Sequence, residues 1–138
     1  MERHLFFHSK GLRLLGVLHT PDEGEACPAA LVFLHGWAGY RIGPHQMFTK
    51  LARTACDQGF ACLRFDFRGR GDSEGEAKRA TLTTMIEDAL AATEMVCAEV
   101  GVERVALIGD CSGSEVAIGA GPLDPRIGAL VLWSAPIV

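Results

Sequence analysis

Apolar runs alternate along the chain with polar, glycine-containing stretches, and the spacing within each run predicts its secondary structure. Two short β-rich runs, 4–9 and 12–19, are separated by Lys10-Gly11 and predict a β-hairpin. Four further runs are apolar on both faces, as strands buried in a parallel sheet are; they occupy residues 29–35, 60–67, 104–109 and 127–136. Apolar residues at helical spacing predict three helices, at 45–57, 81–100 and 112–120.

The order of these elements, β-β-β-α-β-α-β-α-β, decides the fold class. Helices that alternate with continuously apolar strands are typical of an α/β fold, here with a mostly parallel sheet and an antiparallel N-terminal hairpin. The 138 residues suffice for one domain with a usable core, and no internal repeat or low-complexity segment indicates a second. We therefore expect a single domain over residues 1–138.

Composition disfavours several classes of partner. A net charge of −4 argues against nucleic acid or an anionic membrane as a partner. No apolar run reaches the ~18 residues that a membrane-spanning helix needs, and the first residues lack the pattern of a signal peptide. Five cysteines without a CxxC pair favour neither a disulfide framework nor structural zinc. We expect a cytoplasmic protein that uses no metal and no cofactor.

The segment ALIGDCSGS, residues 106–114, runs from a predicted strand into a predicted helix. Gly109 and Gly113 flank Cys111 at the spacing of a nucleophile elbow, G-x-Nu-x-G, where larger side chains would collide. Centring the pattern on Ser112 or Ser114 puts larger residues at the glycine positions, so the spacing selects Cys111. The N-terminus of the following helix would favour its thiolate. The alternative interpretation is an inert, buried cysteine at a tight turn.

The sequence LHGWAG, residues 34–39, follows the first of the buried strands. The His35-Gly36 pair allows a sharp turn that directs the N–H of Trp37 toward the elbow. With the N–H of Ser112, it would form an oxyanion hole; the alternative is a plain turn at a strand end. We expect His35 to order this loop and His45 to lie near it, which makes both of them candidate pocket residues.

The glycine-rich sequence FDFRGRGDSEG, residues 65–75, follows another buried strand. It lacks the third glycine of a dinucleotide fingerprint, so nucleotide binding is disfavoured. Its RGD tripeptide is interpreted as a coincidence, and three of its residues are expected to brace the loop beside the pocket: Asp66, Arg68 and Ser73. The other histidines are expected on the surface of the opening hairpin: His4, His8 and His19.

Taken together, these motifs resemble the α/β-hydrolase superfamily, and in particular its serine aminopeptidase/monoacylglycerol-lipase-like branch. Within that branch, the sequences GYRIGPHQMFTKLA, FDFRGRGDSEGE and GDCSG look like exosortase-associated hydrolases, which carry a G-x-C-x-G elbow and accompany exopolysaccharide and protein-sorting systems. The resemblance covers essentially all 138 residues. It implies hydrolysis or acyl transfer at a small-molecule ester or thioester, with Cys111 as the nucleophile.

The chain departs from the family pattern after its sixth strand. In the family, a cap region and two more strands follow, and they supply the acid and the histidine of the catalytic triad. Residues 1–138 contain neither, so the resemblance predicts an incomplete domain that is inactive alone. The alternative is a non-catalytic scaffold. Because the strand at 127–136 would form an uncovered apolar edge, we expect a homo-oligomer or a complementing fragment to pair with it.

Overall fold

A computed structural model describes residues 1–24 and 26–136. Its six strands are β1 (Glu2–Ser9), β2 (Leu12–His19), β3 (Ala30–Leu34), β4 (Ala61–Phe65), β5 (Val105–Asp110) and β6 (Ile127–Trp133). Its three α-helices are α1 (Met47–Asp57), α2 (Leu82–Val100) and α3 (Ser112–Ala120). Short 3-10 turns lie at Pro44–Gln46, Ala77–Arg79 and Gly121–Leu123.

The strands form one mixed sheet in the order β1-β2-β4-β3-β5-β6. Strand β2 pairs antiparallel with β1 and with β4, whereas β4, β3, β5 and β6 run parallel to one another. The predicted fold class, an α/β-hydrolase fold with a mostly parallel sheet and an antiparallel N-terminal hairpin, is confirmed. Parallel strands end at the same edge of the sheet, so the turns after β3, β4 and β5 lie together there.

Helices cover both faces of the sheet. Helices α2 and α3 pack on one face and bury the larger apolar cluster, which includes Leu63, Met85 and Leu107. Helix α1 packs on the other face through Phe48, whose ring lies 5.1 Å from that of Phe33. No helix of residues 1–24 and 26–136 combines the length and the apolar character that crossing a membrane requires.

Several predicted element ends are wrong by two or three residues: β1 begins at Glu2 rather than at residue 4, and β4 ends at Phe65 rather than at residue 67. Backbone conformation explains two others. The first helix begins at Met47 rather than at residue 45, because His45 (φ 52°) and Gln46 (φ 60°) adopt left-handed conformations that an α-helix excludes. The last strand ends at Trp133 rather than at residue 136, since Ser134 has a φ of 49° and leaves the extended conformation.

The predicted surface position of His19 is also wrong. Its side chain is 1% exposed at the end of β2, where it accepts a hydrogen bond of 2.8 Å from Nε of Arg64, which is itself buried. Burial, with a further contribution from the Arg64 charge, lowers the pKa of His19 to about 4. The sequence pattern of β2 could not reveal this contact, because Arg64 lies 45 residues further along the chain.

Candidate active site

Cys111 lies at the sharp turn between β5 and α3, where it is the N-cap residue of the helix. Its backbone, φ 54° and ψ −122°, occupies a region that residues with a Cβ rarely adopt, at a cost of order 1–3 kcal/mol. Neighbouring hydrogen bonds hold the turn: Cys111 N–H donates to Trp133 O at 2.9 Å, and Ser114 N–H donates to Cys111 O at 2.9 Å. The side chain of Cys111 is exposed.

The two glycines that flank Cys111 are positions of close backbone approach. A Cβ on Gly109 would lie 2.5 Å from Gly113 O, inside the first turn of α3. A Cβ on Gly113 would lie closer still to the carbonyl oxygen of Leu34 in β3. Because both obstacles are backbone atoms, neither can rotate away. The G-x-C-x-G spacing therefore allows α3 to start directly against the carboxyl ends of β3 and β5.

Cys111 opens onto a cleft of about 460 Å³. Its walls come from the loop after β3 and from the turn at Cys111; the lining residues are His35, Gly36, Trp37, Ala38, Gly39, Tyr40, Gly43, Pro44, Asp110 and Cys111. The rings of Trp37 and Tyr40 remain 47% and 42% exposed, so the mouth of the cleft offers two aromatic surfaces to a ligand. Gly36 also lies close to the turn at Cys111, since a Cβ there would lie 3.3 Å from Cβ of Cys111.

Of the two backbone groups expected to form an oxyanion hole, one lies in the wall of the cleft and the other lies next to Cys111 in the sequence. Trp37 belongs to its wall, and Ser112 is the first residue of α3, directly after Cys111. Neither N–H donates to an acceptor among residues 1–24 and 26–136. The first N–H groups of a helix have no partner within the helix, and they carry the positive end of its dipole. The N–H of Ser112 is therefore one of the free donors at the N-terminus of α3.

His35 connects the loop after β3 to the end of β4. Its imidazole is 1% exposed, and its Nε2 accepts a hydrogen bond of 3.1 Å from Phe67 N–H. Because Nε2 accepts, the ring proton lies on Nδ1, which donates to Gly36 O at 2.7 Å. Burial lowers the pKa of His35 and favours this neutral form. The bonded carbonyl belongs to the same peptide unit as the N–H of Trp37, so the His35 ring fixes the plane of that unit.

The structure separates the other candidate pocket residue from the cleft. His45 is exposed and does not contribute to the cleft wall, although its neighbour Pro44 does. No hydrogen bond joins the Cys111 thiol to an imidazole in the part of the chain that the structure describes. In the same described ranges, no three His, Cys, Asp or Glu side chains are grouped to hold a metal ion.

The sequence interpretation missed Asp110, which precedes the cysteine and lines the cleft beside it. Burial raises the pKa of its carboxyl group. No hydrogen-bond or ion-pair partner for this carboxyl occurs among residues 1–24 and 26–136. Its position next to the predicted nucleophile was the available signal, because the last residue of β5 must share the sheet edge with Cys111.

The glycine-rich loop after β4 is held by a buried carboxylate. Asp66 is fully buried and accepts hydrogen bonds from Arg41 N–H (2.7 Å), the Arg41 guanidinium (2.7 Å) and Asp72 N–H (2.9 Å). Ser73 adds a bond from its hydroxyl to Asp66 O at 2.6 Å. Arg68 reaches the other way, to the buried carboxylate of Asp88 in α2. These contacts join the loop to the wall of the cleft and to the helical layer.

The sheet order and the turn at Cys111 define an α/β hydrolase. The chain belongs to the serine aminopeptidase S33 family, which residues 26–138 match. It is 39% identical over 124 residues to human protein ABHD12B, a match that covers 78% of this chain and 33% of that protein. It is 32% identical over 87 residues to the lysophosphatidylserine lipase ABHD12 of Danio rerio, covering 63% of this chain and 22% of that protein.

Solved structures share the fold. An esterase from Pyrococcus furiosus superposes with a TM-score of 0.84 at 24% identity, over 99% of this chain and 53% of that one. The chain therefore spans about half the length of this structural neighbour and a third of the length of ABHD12B. The resemblance to the α/β-hydrolase superfamily and its serine aminopeptidase branch is confirmed.

Proposed function

We propose that the protein is an acyl hydrolase that cleaves small ester or thioester substrates through a covalent intermediate on Cys111. The observation that carries the proposal is the conformation of Cys111, an exposed cysteine with φ 54° at the start of α3, where it lines the cleft. A strained backbone at this position persists only because the surrounding structure enforces it, and such strain concentrates at functional sites.

In the proposed mechanism, the thiolate of Cys111 attacks the acyl carbon of the substrate. The carbonyl π electrons move to oxygen, and the N–H groups of Trp37 and Ser112 stabilise the resulting oxyanion. When the tetrahedral intermediate collapses, the bond to the leaving oxygen or sulfur breaks and the leaving group takes up a proton. Attack by water on the thioester then releases the carboxylic acid and regenerates the thiol.

The cleft favours substrates with an apolar acyl group or alcohol. Trp37, Tyr40 and Pro44 present apolar surface near Cys111, whereas Asp110 is the charged side chain of the lining. A small-molecule ester or thioester fits this composition. The esterase and lipase relatives support the same reaction type.

Turnover requires a general base that the described residues do not place beside Cys111. The ring nitrogens of His35 are both occupied, one by Phe67 N–H and one by Gly36 O. We propose that the acid and the histidine of the triad come from outside residues 1–138, either from further sequence or from a partner. Residues 1–138 alone would then accumulate the acyl intermediate and hydrolyse it slowly, which makes them an incomplete enzyme.

A second candidate function is a non-catalytic scaffold that assembles with itself or with a partner subunit. The exposure of β6 favours it: Leu130, Val131, Leu132 and Trp133 are 38–49% exposed, and β6 is the last strand of the described sheet. A strand of this kind pairs readily with another strand. We propose that a second copy or a complementing segment covers residues 127–136.

We further propose a cytoplasmic location, which the five free cysteines favour. The resemblance to exosortase-associated hydrolases would be supported if the gene for this protein lay beside genes for exosortase components.

Incubation with p-nitrophenyl acetate, followed by intact mass and peptide mapping, tests the nucleophile. We expect one acetyl group per chain on the peptide that contains Cys111, and none on that peptide in Cys111→Ala. Cys56→Ala is the matched control, since this partly buried cysteine lies in α1 away from the cleft. If the other cysteines are acetylated in preference to Cys111, the catalytic proposal is rejected and the non-catalytic scaffold becomes the favoured function.

A further inference from the structure

We propose that Arg70 is a positioning residue for the oxyanion loop: it holds Trp37 so that its N–H faces the oxygen of a substrate bound at Cys111. This inference rests on the proposed function, because it assigns a role within the same site. Arg70 lies in the glycine-rich loop after β4, as the first residue of the RGD tripeptide that the sequence analysis interpreted as a coincidence.

Arg70 contacts Trp37 in two independent ways. Its Nε donates a hydrogen bond of 2.6 Å to Trp37 O. Its guanidinium carbon also lies 4.9 Å from the centre of the indole ring, within the range of a cation–π interaction. One contact fixes the backbone carbonyl and the other fixes the ring. Together they restrain a residue that is otherwise 47% exposed on a loop.

Arg70 is itself held firmly enough to position another residue. Its N–H donates to Phe67 O at 3.0 Å, and its carbonyl accepts from Ser73 N–H at 3.0 Å. The same loop is bonded to the buried Asp66 carboxylate. The backbone of Arg70 is therefore fixed relative to the end of β4, and its side chain in turn fixes the position of Trp37.

The charge of Arg70 is not neutralised by a carboxylate. Within residues 1–24 and 26–136, its side chain bonds to the carbonyls of Trp37 and Gly69 and to no acidic group. Arg41 and Arg68 of the same region are each paired with aspartates. Arg70 therefore differs from these two arginines: it donates its hydrogen bonds to main-chain carbonyls, whereas Arg41 and Arg68 form ion pairs.

On the other side, His35 fixes the peptide unit that contains the Trp37 N–H, through its bond to Gly36 O. Arg70 fixes the following peptide unit, through Trp37 O. The N–H thus lies between two restrained carbonyls. Loss of either restraint lets the donor turn away from the oxyanion, and a misplacement of about 1 Å can lower a reaction rate by roughly a hundredfold.

Two reactions of Cys111 separate positioning from general damage. Acylation by p-nitrophenyl acetate passes through an oxyanion, whereas alkylation by iodoacetamide does not. We expect Arg70→Ala to lower the rate of acylation by roughly tenfold to a hundredfold, with the rate of alkylation within about twofold of wild type. Added methylguanidinium should restore part of the acylation rate. Arg13→Ala, which removes a guanidinium that lies 4.5 Å from the Phe6 ring, is the matched control and should change neither rate.

Equal losses in acylation and alkylation, or no loss in either, would overturn the role of Arg70. Arg70→Lys gives a second measurement, because lysine keeps the charge but cannot both bond to Trp37 O and stack on the indole. A Lys variant as fast as wild type would show that charge alone matters and would also overturn the positioning role. If wild-type Cys111 is not acylated at all, the proposed function fails. If wild-type Cys111 is acylated and the Arg70 variants are acylated at the same rate, only the inference about Arg70 fails.

Discussion

Substituting the glycines around Cys111 by alanine gives a graded prediction. At Gly113 the new methyl group would meet the carbonyl oxygen of Leu34, and at Gly109 it would lie 2.5 Å from Gly113 O. Both obstacles are backbone, so α3 must move off the sheet. At Gly36 the nearest atom is Cβ of Cys111 at 3.3 Å, which a small shift accommodates. We therefore expect the loss of stability to decrease in the order Gly113→Ala, Gly109→Ala, Gly36→Ala.

The magnitudes follow from the severity of each overlap. Overpacking a close-packed site costs about 1–3 kcal/mol and occasionally more, so Gly113→Ala should lose at least about 3 kcal/mol of the free energy of unfolding. Gly109→Ala should lose roughly 2 kcal/mol and Gly36→Ala less than about 1 kcal/mol. Since small domains have a total stability of about 5–15 kcal/mol, the largest of these losses should be obvious.

Gly119→Ala is the matched control, made in the same helix. Its methyl group would meet the end of the Ile86 side chain, which can rotate, and alanine favours a helix by about 1 kcal/mol over glycine. We expect a stability within about 1 kcal/mol of wild type. Urea unfolding measures all four variants, and acylation of Cys111 reports the turn itself. Wild-type stability in Gly113→Ala would refute the close approach of α3 to β3 and the assigned geometry of the elbow.

Two further predictions concern stability and assembly. The pKa of His19 is about 4 in the folded protein and 6.5 in an unfolded chain. Between these pH values the unfolded chain binds a proton on His19 that the folded protein does not bind. The free energy of unfolding should therefore fall by about 3 kcal/mol as the pH drops from 6.5 to 4. His19→Gln should remove most of that loss in urea unfolding followed against pH, and an unchanged pH dependence would contradict the burial of a neutral His19. Residues 127–136 should drive self-association at micromolar concentration, and Val131→Lys should shift sedimentation toward the monomer; a wild-type monomer would contradict the proposed pairing.

The fold was predictable because its signals are local. Each strand of the parallel sheet is a continuous apolar run, and the helices between them carry apolar residues at helical spacing, so element order alone indicated the sheet. The ends of elements were harder, since the left-handed conformations of His45 and Gln46 depend on how the loop before α1 packs. The G-x-C-x-G spacing likewise located the turn at Cys111 from five residues.

Contacts between distant residues were not predictable in the same way. The burial of His19 depends on Arg64, which lies in a strand that is its neighbour in the sheet but not in the sequence. The contact of Arg70 with Trp37 joins two loops that follow different strands, and nothing in either loop alone indicates the other. Asp110 occupies a variable position of the G-x-C-x-G spacing, which places no demand on its side chain.

The central claim is that the fold, and not merely a free thiol, makes Cys111 an acyl acceptor. The most direct measurement compares the rate of acylation by p-nitrophenyl acetate for Cys111 in the folded protein and in urea, with the modified peptide identified by mass. Since one oxyanion donor contributes about a hundredfold or more, the account predicts that folded Cys111 reacts at least about a hundred times faster than the same cysteine in the unfolded chain. A folded rate no greater than the unfolded rate would contradict it.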